Sequence, residues 1–238
     1  MTQPEQLPLP LPVREALGRE EFFVSSANAM AVALVERWRD WPARKMVLCG
    51  PKGSGKTHLA HVWARLSDAR IVTAVSLPTA DIPSLADHPV CVEDIESIAG
   101  NRPAEEALFH LHNLALAQGQ SLLLTSEREP THWPLTVPDL KSRMMGAQAA
   151  RLGAPDDALL TAVLAKLFAD RQIAPVPEVL SYLTRHMPRS HAAARDLVAA
   201  LDETSLATKR PVTRALASEV LARLLDTPSG SESDDATR

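Results

Sequence analysis

Met46-Val47-Leu48-Cys49-Gly50-Pro51-Lys52-Gly53-Ser54-Gly55-Lys56-Thr57 runs from four apolar residues into the pattern Gly-x-x-x-x-Gly-Lys-Thr. That is the spacing of a phosphate-binding P-loop, and each residue type has a physical task in it. Gly50, Gly53 and Gly55 let the backbone curl so that successive N–H groups point inward at phosphate oxygens. The helix that follows adds the positive end of its dipole. Lys56 carries a point charge to the terminal phosphates, and Thr57 offers a hydroxyl to magnesium. Pro51, Lys52, Ser54 and His58 complete the candidate nucleotide-binding set. A glycine-rich turn without a ligand needs no particular context. Here an apolar strand precedes the turn and an apolar-periodic helix, His58 to Leu66, follows it.

A chain of 238 residues fits one large domain or a core domain with a small companion. With 45% hydrophobic residues it can bury a substantial core. The formal net charge of -4 argues against a dedicated duplex-DNA binder with a broad basic face, and leaves local basic grooves open. Cys49 and Cys91 both lie in apolar runs, which reads as buried thiols in a reducing compartment. No apolar segment approaches membrane-spanning length, and the N-terminus has no basic region followed by an apolar one; the expectation is a cytoplasmic protein. His58 and His61 share a helix face, and His110 and His112 share another helix, but neither pair has further ligands at usable spacing for a metal.

Along the chain, Gln6-Leu7-Pro8-Leu9-Pro10-Leu11 sits in a proline-punctuated stretch, residues 1–20, that favours an extended arm. Such an arm either enters a partner's groove or is a frayed terminus. Phe22-Phe23-Val24, a cap candidate at Ser25-Ser26 and an amphipathic helix from about Asn28 to Arg39 come next. They either wall in a nucleotide base or pack as ordinary core. Strands are expected at Arg70–Val75, Val90–Val92, Ser121–Thr125 and Ala149–Leu152, alternating with helices, which indicates a three-layer α/β sheet. The second of these runs into Glu93-Asp94, acids at a strand tip suited to magnesium and to polarising a water. The third ends in Ser126-Glu127-Arg128, placed to sense a terminal phosphate. A helix follows with Asp139-Leu140-Lys141-Ser142-Arg143. From Pro155 the pattern becomes helical, at about 155–170, 176–186, 190–207 and 213–225, and the third helix carries Arg195, a candidate to fold onto nucleotide phosphates. Residues 227–238 read as a disordered tail.

In this joint order the motifs resemble the AAA+ ATPases, and within them the replication initiator DnaA and its relatives. Gly50 to Leu59 is similar to Walker A, Val90 to Gly100 to Walker B, Leu122 to Arg128 to sensor 1, Leu140 to Arg143 to the arginine-finger segment, and Arg195-Asp196-Leu197 to sensor 2. Phe23, Val24 and Asn28 resemble the adenine-side segment. The resemblance implies an AAA+ P-loop three-layer αβα parallel sheet over 21–153 and a small all-α lid over 154–226, following the arm at 1–20. It implies ADP or ATP with Mg2+ as cofactors, magnesium being held through Thr57 and Glu93, and Asp94 and sensor 1 Glu127 as catalytic groups. Glu93 stands where the family usually has an aspartate, which lengthens the reach to the metal. Little intrinsic turnover is expected.

The arm at Gln6, Leu7, Leu9, Pro10 and Leu11 is similar to the sliding-clamp-binding motif of the family's regulatory inactivators. That likeness implies a negative regulator of replication initiation, seated on the DNA polymerase III sliding clamp and meeting DNA through it, at the replisome. There it would stimulate hydrolysis of DnaA-bound ATP with Arg143 as an arginine finger in trans. Homo-oligomerisation stays open. Against a true initiator or a helicase loader stand the end of the sequence after the lid and the short, proline-broken connection 76–89. Asp139 also departs from the initiator, which carries an arginine at that place. A metabolic or transport P-loop ATPase would leave the arm without purpose.

Overall fold

The computed structural model describes residues 23–226; the arm at Gln6–Leu11 and the tail at 227–238 lie outside the described residues. The chain divides into two compact units between Gly153 and Ala154.

The first unit is built on five parallel strands: β1 (Lys45–Cys49), β2 (Arg70–Thr73), β3 (Val90–Glu93), β4 (Leu122–Ser126) and β5 (Gln148–Arg151), in the order β2-β3-β4-β1-β5. Every residue of β1 and β4 is buried, as expected of near-continuous apolar strands covered on both faces. Alternation sorts their side chains. Val47, Cys49, Val92, Leu122 and Leu124 join the core on the side of α3 (Ile82–Ala86), α4 (Arg102–Ala117) and α5 (Pro138–Met145). Met46, Leu48, Cys91 and Leu123 join the opposite core with α1 (Ala29–Glu36), α2 (Lys56–Ser67), Trp41 and Trp63. There the Trp41 ring stacks on Trp63 at 5.3 Å and Trp38 meets it edge-on at 6.3 Å. Both cysteines are unpaired and buried, and burial pushes the thiol pKa up at Cys49 and further at Cys91.

Element boundaries differ from the sequence expectation in places with evident causes. The strand expected over Arg70–Val75 stops at Thr73, where a 3-10 helix, Ala74–Thr79, turns Ala74 and Leu77 fully into the core and leaves Val75 61% exposed. Burial of Leu77 overrides the β preference of Val75. The first helix ends at Glu36 rather than near Arg39, giving way to a 3-10 turn at Trp38–Asp40. Asn28, not Ser25 or Ser26, stands at its N-cap.

Buried Glu105 on α4 organises the far side of this unit. Its carboxylate accepts from the Gly100 N–H (2.8 Å), the Thr136 N–H (2.8 Å), the Thr136 hydroxyl (2.9 Å) and the Val137 N–H (2.7 Å). It thereby ties the turn after β3 to the start of α5. Burial alone would raise its pKa, but these donors outweigh it and hold the pKa below the ordinary 4.5.

The second unit packs α6 (Asp157–Asp170), α7 (Pro177–His186), α8 (His191–Thr208) and α9 (Arg214–Asp226) around Leu160, Leu164, Phe168, Leu183, Leu197 and Val220. Asp156 caps α6 through the Leu159 N–H at 2.8 Å, and Ser190 caps α8 through the Ala193 N–H at 3.3 Å. Among the described residues no helix is long and apolar enough to cross a membrane.

Glu105→Ala is expected to lower stability by ~2–4 kcal/mol at neutral pH, because it strands buried donors. Since the folded-state pKa is depressed, the wild-type increment is complete above pH 4.5 and fades as pH falls through the folded value. Urea denaturation at neutral and acid pH checks this: the gap between wild type and variant narrows on acidification.

Candidate functional site

The strand register places the end of β1 beside the ends of β4 and β3, since Cys49 pairs with Ser126 and Leu124 with Val92. The Gly-rich turn leaves β1 at this carboxyl edge, where ligands gather in parallel sheets. The Gly50 N–H donates to the Ser126 carbonyl at 3.2 Å. A Cβ on Gly50 would lie 2.3 Å from the Leu152 carbonyl oxygen, so only glycine fits between the turn and the chain leaving β5. Gly53 and Gly55 have φ of 74° and 99°, the left-handed conformation that curls the loop into α2.

Lys56 opens α2 with its stem buried, and its ammonium donates to the carbonyls of Gly50 (2.7 Å) and Pro51 (2.9 Å), which holds it against the loop. Burial lowers its pKa, against the pull of Glu127, Asp94 and Glu96. Thr57 and His58 follow on the exposed first turn. Two buried oxygens, Ser54 Oγ and Glu93 Oε1, have no hydrogen-bond partner among the described residues. Buried polar atoms in folded proteins are almost always paired, so these oxygens are free to meet a ligand. Glu93 ends β3, and Asp94 beyond it is exposed in a left-handed conformation (φ 58°), its N–H held by Thr125 Oγ1 at 3.1 Å. Thr57, Glu93 and Asp94 are hard oxygen donors of the kind that suit Mg2+, which would neutralise phosphate charge.

Sensor candidate Glu127 pairs with Lys52 at 3.7 Å across the outside of the loop, an exposed contact of little energetic weight. Beside it a cleft of about 380 Å³ is lined by Gly50, Glu127, Glu129, His132 and Arg151, among others. The Glu129–Arg151 pair in its wall, at 2.6 Å, and Glu96, which accepts from the Arg128 N–H at 2.9 Å, escaped the sequence reading. Their polar character was legible; their convergence on one edge follows only from strand register.

Asn28 is 4% exposed; its Nδ2 donates to the Phe23 carbonyl and its Oδ1 accepts from the Ser25 N–H, both at 2.9 Å. The Gly153 N–H donates to Ala27 at 3.0 Å, which fastens this leading segment beside the end of β5. Val24 packs against the α1–α2 core, so it has a packing role whatever else it does.

Two candidates belong to other elements. Arg195 is exposed on α8 in the second unit. Arg143 is exposed near the end of α5, its guanidinium 5.6 Å from the Phe109 ring centroid. Its backbone carbonyl accepts from Lys45, the first residue of β1, at 2.6 Å. The turn begins five residues on, after the last residue of that strand. The Arg143 carbonyl is therefore tied to the start of β1, whereas the turn leaves its end, and the two ends of that strand are about 16 Å apart. Among the described residues no carboxylate pairs with the Arg143 guanidinium.

Sheet order, P-loop and helical second unit define the AAA+ fold: a nucleotide-type P-loop on a three-layer parallel sheet, followed by a small all-α unit. Among AAA+ structures the chain is similar to domain III of the Thermotoga maritima replication initiation protein DnaA, at TM-score 0.74 and 20% identity over 92% of this chain and all of that one. It is similar too to the replication initiator DnaA bound to AMPPCP and single-stranded DNA (TM-score 0.66, 17% identity, 84% of this chain and 69% of that one). The AAA domain of FIGL-1 in complex with ADP gives TM-score 0.62 at 17% identity, over 87% of this chain and 81% of that one. The chain spans 66% of the length of a further neighbour, a DNA replication initiation factor. In sequence, an uncharacterised protein of Haemophilus influenzae is 27% identical over 227 residues, covering 91% of this chain and 98% of its own. No protein-family model matches the chain.

Lys56→Ala is expected to weaken nucleotide binding roughly 10–100-fold, the loss of charge-assisted contacts worth ~1.5–3 kcal/mol. Titration calorimetry with magnesium and ADP checks this, with unchanged circular dichroism as the control.

Proposed function

We propose that this chain is a nucleotide-bound regulator of replication initiation of the Hda kind, an inactivator of DnaA. In this reading ADP or ATP sits with Mg2+ on Gly50 to His58, flanked by Phe23, Val24 and Asn28 on the base side and by Glu93, Asp94, Glu127 and Arg195 at the phosphates. The bound nucleotide sets the competent state, and the chain's own hydrolysis is slow. The likeness to DnaA and FIGL-1 domains, whose structures hold AMPPCP and ADP, supports nucleotide binding here. The arm at Gln6, Leu7, Leu9, Pro10 and Leu11 docks on the sliding clamp, with glutamine in polar contact and leucines in an apolar pocket, and brings the chain to DNA through the clamp.

The observation that carries the reading is that the Arg143 carbonyl is bonded to Lys45 at the start of β1, whereas the chain's own P-loop leaves the end of that strand. A guanidinium so placed serves a phosphate held by another molecule. Exposed and without a carboxylate partner among the described residues, Arg143 is available to an incoming triphosphate. As the phosphoryl group leaves, charge grows on its equatorial oxygens, and an arginine there is worth ~10³–10⁵ in rate. Here that triphosphate is the ATP of DnaA, and the product, DnaA with ADP, is inactive for initiation.

The decisive measurement is single-turnover hydrolysis of DnaA-bound ATP with clamp loaded on DNA. Arg143→Ala is expected to remove the stimulation while clamp binding persists; equal stimulation by the variant would refute the role. Gln6→Ala/Leu9→Ala is expected to abolish capture by the clamp. Capture of single-stranded DNA with a steep salt dependence, in place of clamp binding, would favour an initiator or helicase loader instead.

A further inference from the structure

Lys45 has no part in nucleotide binding or in the finger itself, yet its placement is costly. Lys45 is 7% exposed, and its ammonium lies among polar groups that carry no negative charge. It donates to the Arg143 carbonyl at 2.6 Å and lies 3.3 Å from His112 Nε2. His112, 1% exposed, has Nδ1 3.1 Å from Asn113 Oδ1. With that oxygen accepting, Nδ1 carries the hydrogen and Nε2 offers its lone pair to the lysine. The imidazole is neutral: burial and the nearby Lys45 and Arg143 charges hold its pKa at about 4, despite the Asn113 bond. Lysine is among the residues least often buried, and an ammonium without a carboxylate is an expensive occupant of a core.

What the ammonium contacts explains the expense. Arg143 lies in the last turn of α5, where helix carbonyls lack an amide partner four residues on; the Ala147 N–H goes instead to Met144. A cation suits that end of a helix dipole. The chain is bent just ahead of Lys45 by two successive left-handed residues, Ala43 (φ 49°) and Arg44 (φ 53°), an unfavourable turn that leads straight into the buried lysine. The Lys45 charge also repels the Arg143 guanidinium, as the lowered Lys45 pKa reflects after burial itself. The arginine is thus disfavoured from folding back over the sheet edge.

We propose that Lys45 is the positioning residue for Arg143: its ammonium, seated on His112, caps α5 at the very residue that bears the guanidinium. The inference rests on the finger reading of Arg143 for its consequence, and on contacts within this chain for its mechanism.

Lys45→Met keeps an unbranched side chain only one atom shorter and removes the charge. Nucleotide binding is expected to be unchanged, because the P-loop lies at the other edge. Hydrogen exchange of the amides at residues 144–147 is expected to accelerate selectively. Maximal stimulation of DnaA-bound ATP hydrolysis is expected to fall roughly 10–100-fold, the scale of a misplaced catalytic group, with the half-saturating concentration of the chain unaltered. In an Arg143→Ala background the same substitution should cause no further loss. His112→Leu, which removes only the seat of the ammonium, should give the same pattern at smaller amplitude and serves if Lys45→Met does not fold. Unchanged exchange at 144–147, or losses that multiply with those of Arg143→Ala, would overturn the proposal. If Arg143→Ala itself leaves DnaA hydrolysis intact, the finger reading falls, and the exchange data alone decide whether Lys45 fixes the helix end.

Discussion

Strand β1 is hydrogen-bonded on both edges, to β4 and β5, and covered on both faces. The spacing between phosphate turn and finger helix depends on that confinement. A strand held on all sides cannot slide or shear without breaking two ladders and exposing both cores. It therefore acts as a rigid spacer with the phosphate turn at its carboxyl end and Lys45, with the α5 terminus above it, at the other. The spacing between the cradle and the α5 terminus that bears Arg143 is then a property of the sheet.

Much of this was legible in the residues. The apolar run into Gly50–Thr57 announced both the strand and the turn, and strand–helix alternation announced the sheet. Legibility failed where tertiary burial outweighed local preference. Val75 extends a β-branched run, yet the chain turns at Ala74 because Leu77 has a core site to fill. Ser25 and Ser26 are good caps by type, but the backbone places Asn28 there, with its side chain spent on Phe23 and Ser25. Glu105 and Lys45 look like ordinary surface charges in sequence. Their burial depends on partners 31 and 98 residues away, which no local pattern reveals.

At the candidate site, the sequence supplied the residue types and the structure supplied their grouping. Parallel register brings Glu93, Asp94 and Glu127 to the edge where Lys56 lies, so the phosphate end is assembled by the sheet itself. Arg143 is excluded from that edge by the same register, since its helix precedes β5 rather than following it.

Cys49 and Cys91 sit on strands that flank β4, facing opposite cores, with pKa values raised by their apolar surroundings. Fully enclosed and with its pKa raised well above the ordinary value, the Cys91 thiol is no nucleophile toward an alkylating reagent in the folded molecule, whereas Cys49 lines the cleft beside the phosphate turn. Cys91 is a built-in clock: the rate at which it becomes modifiable times the opening of the central layer.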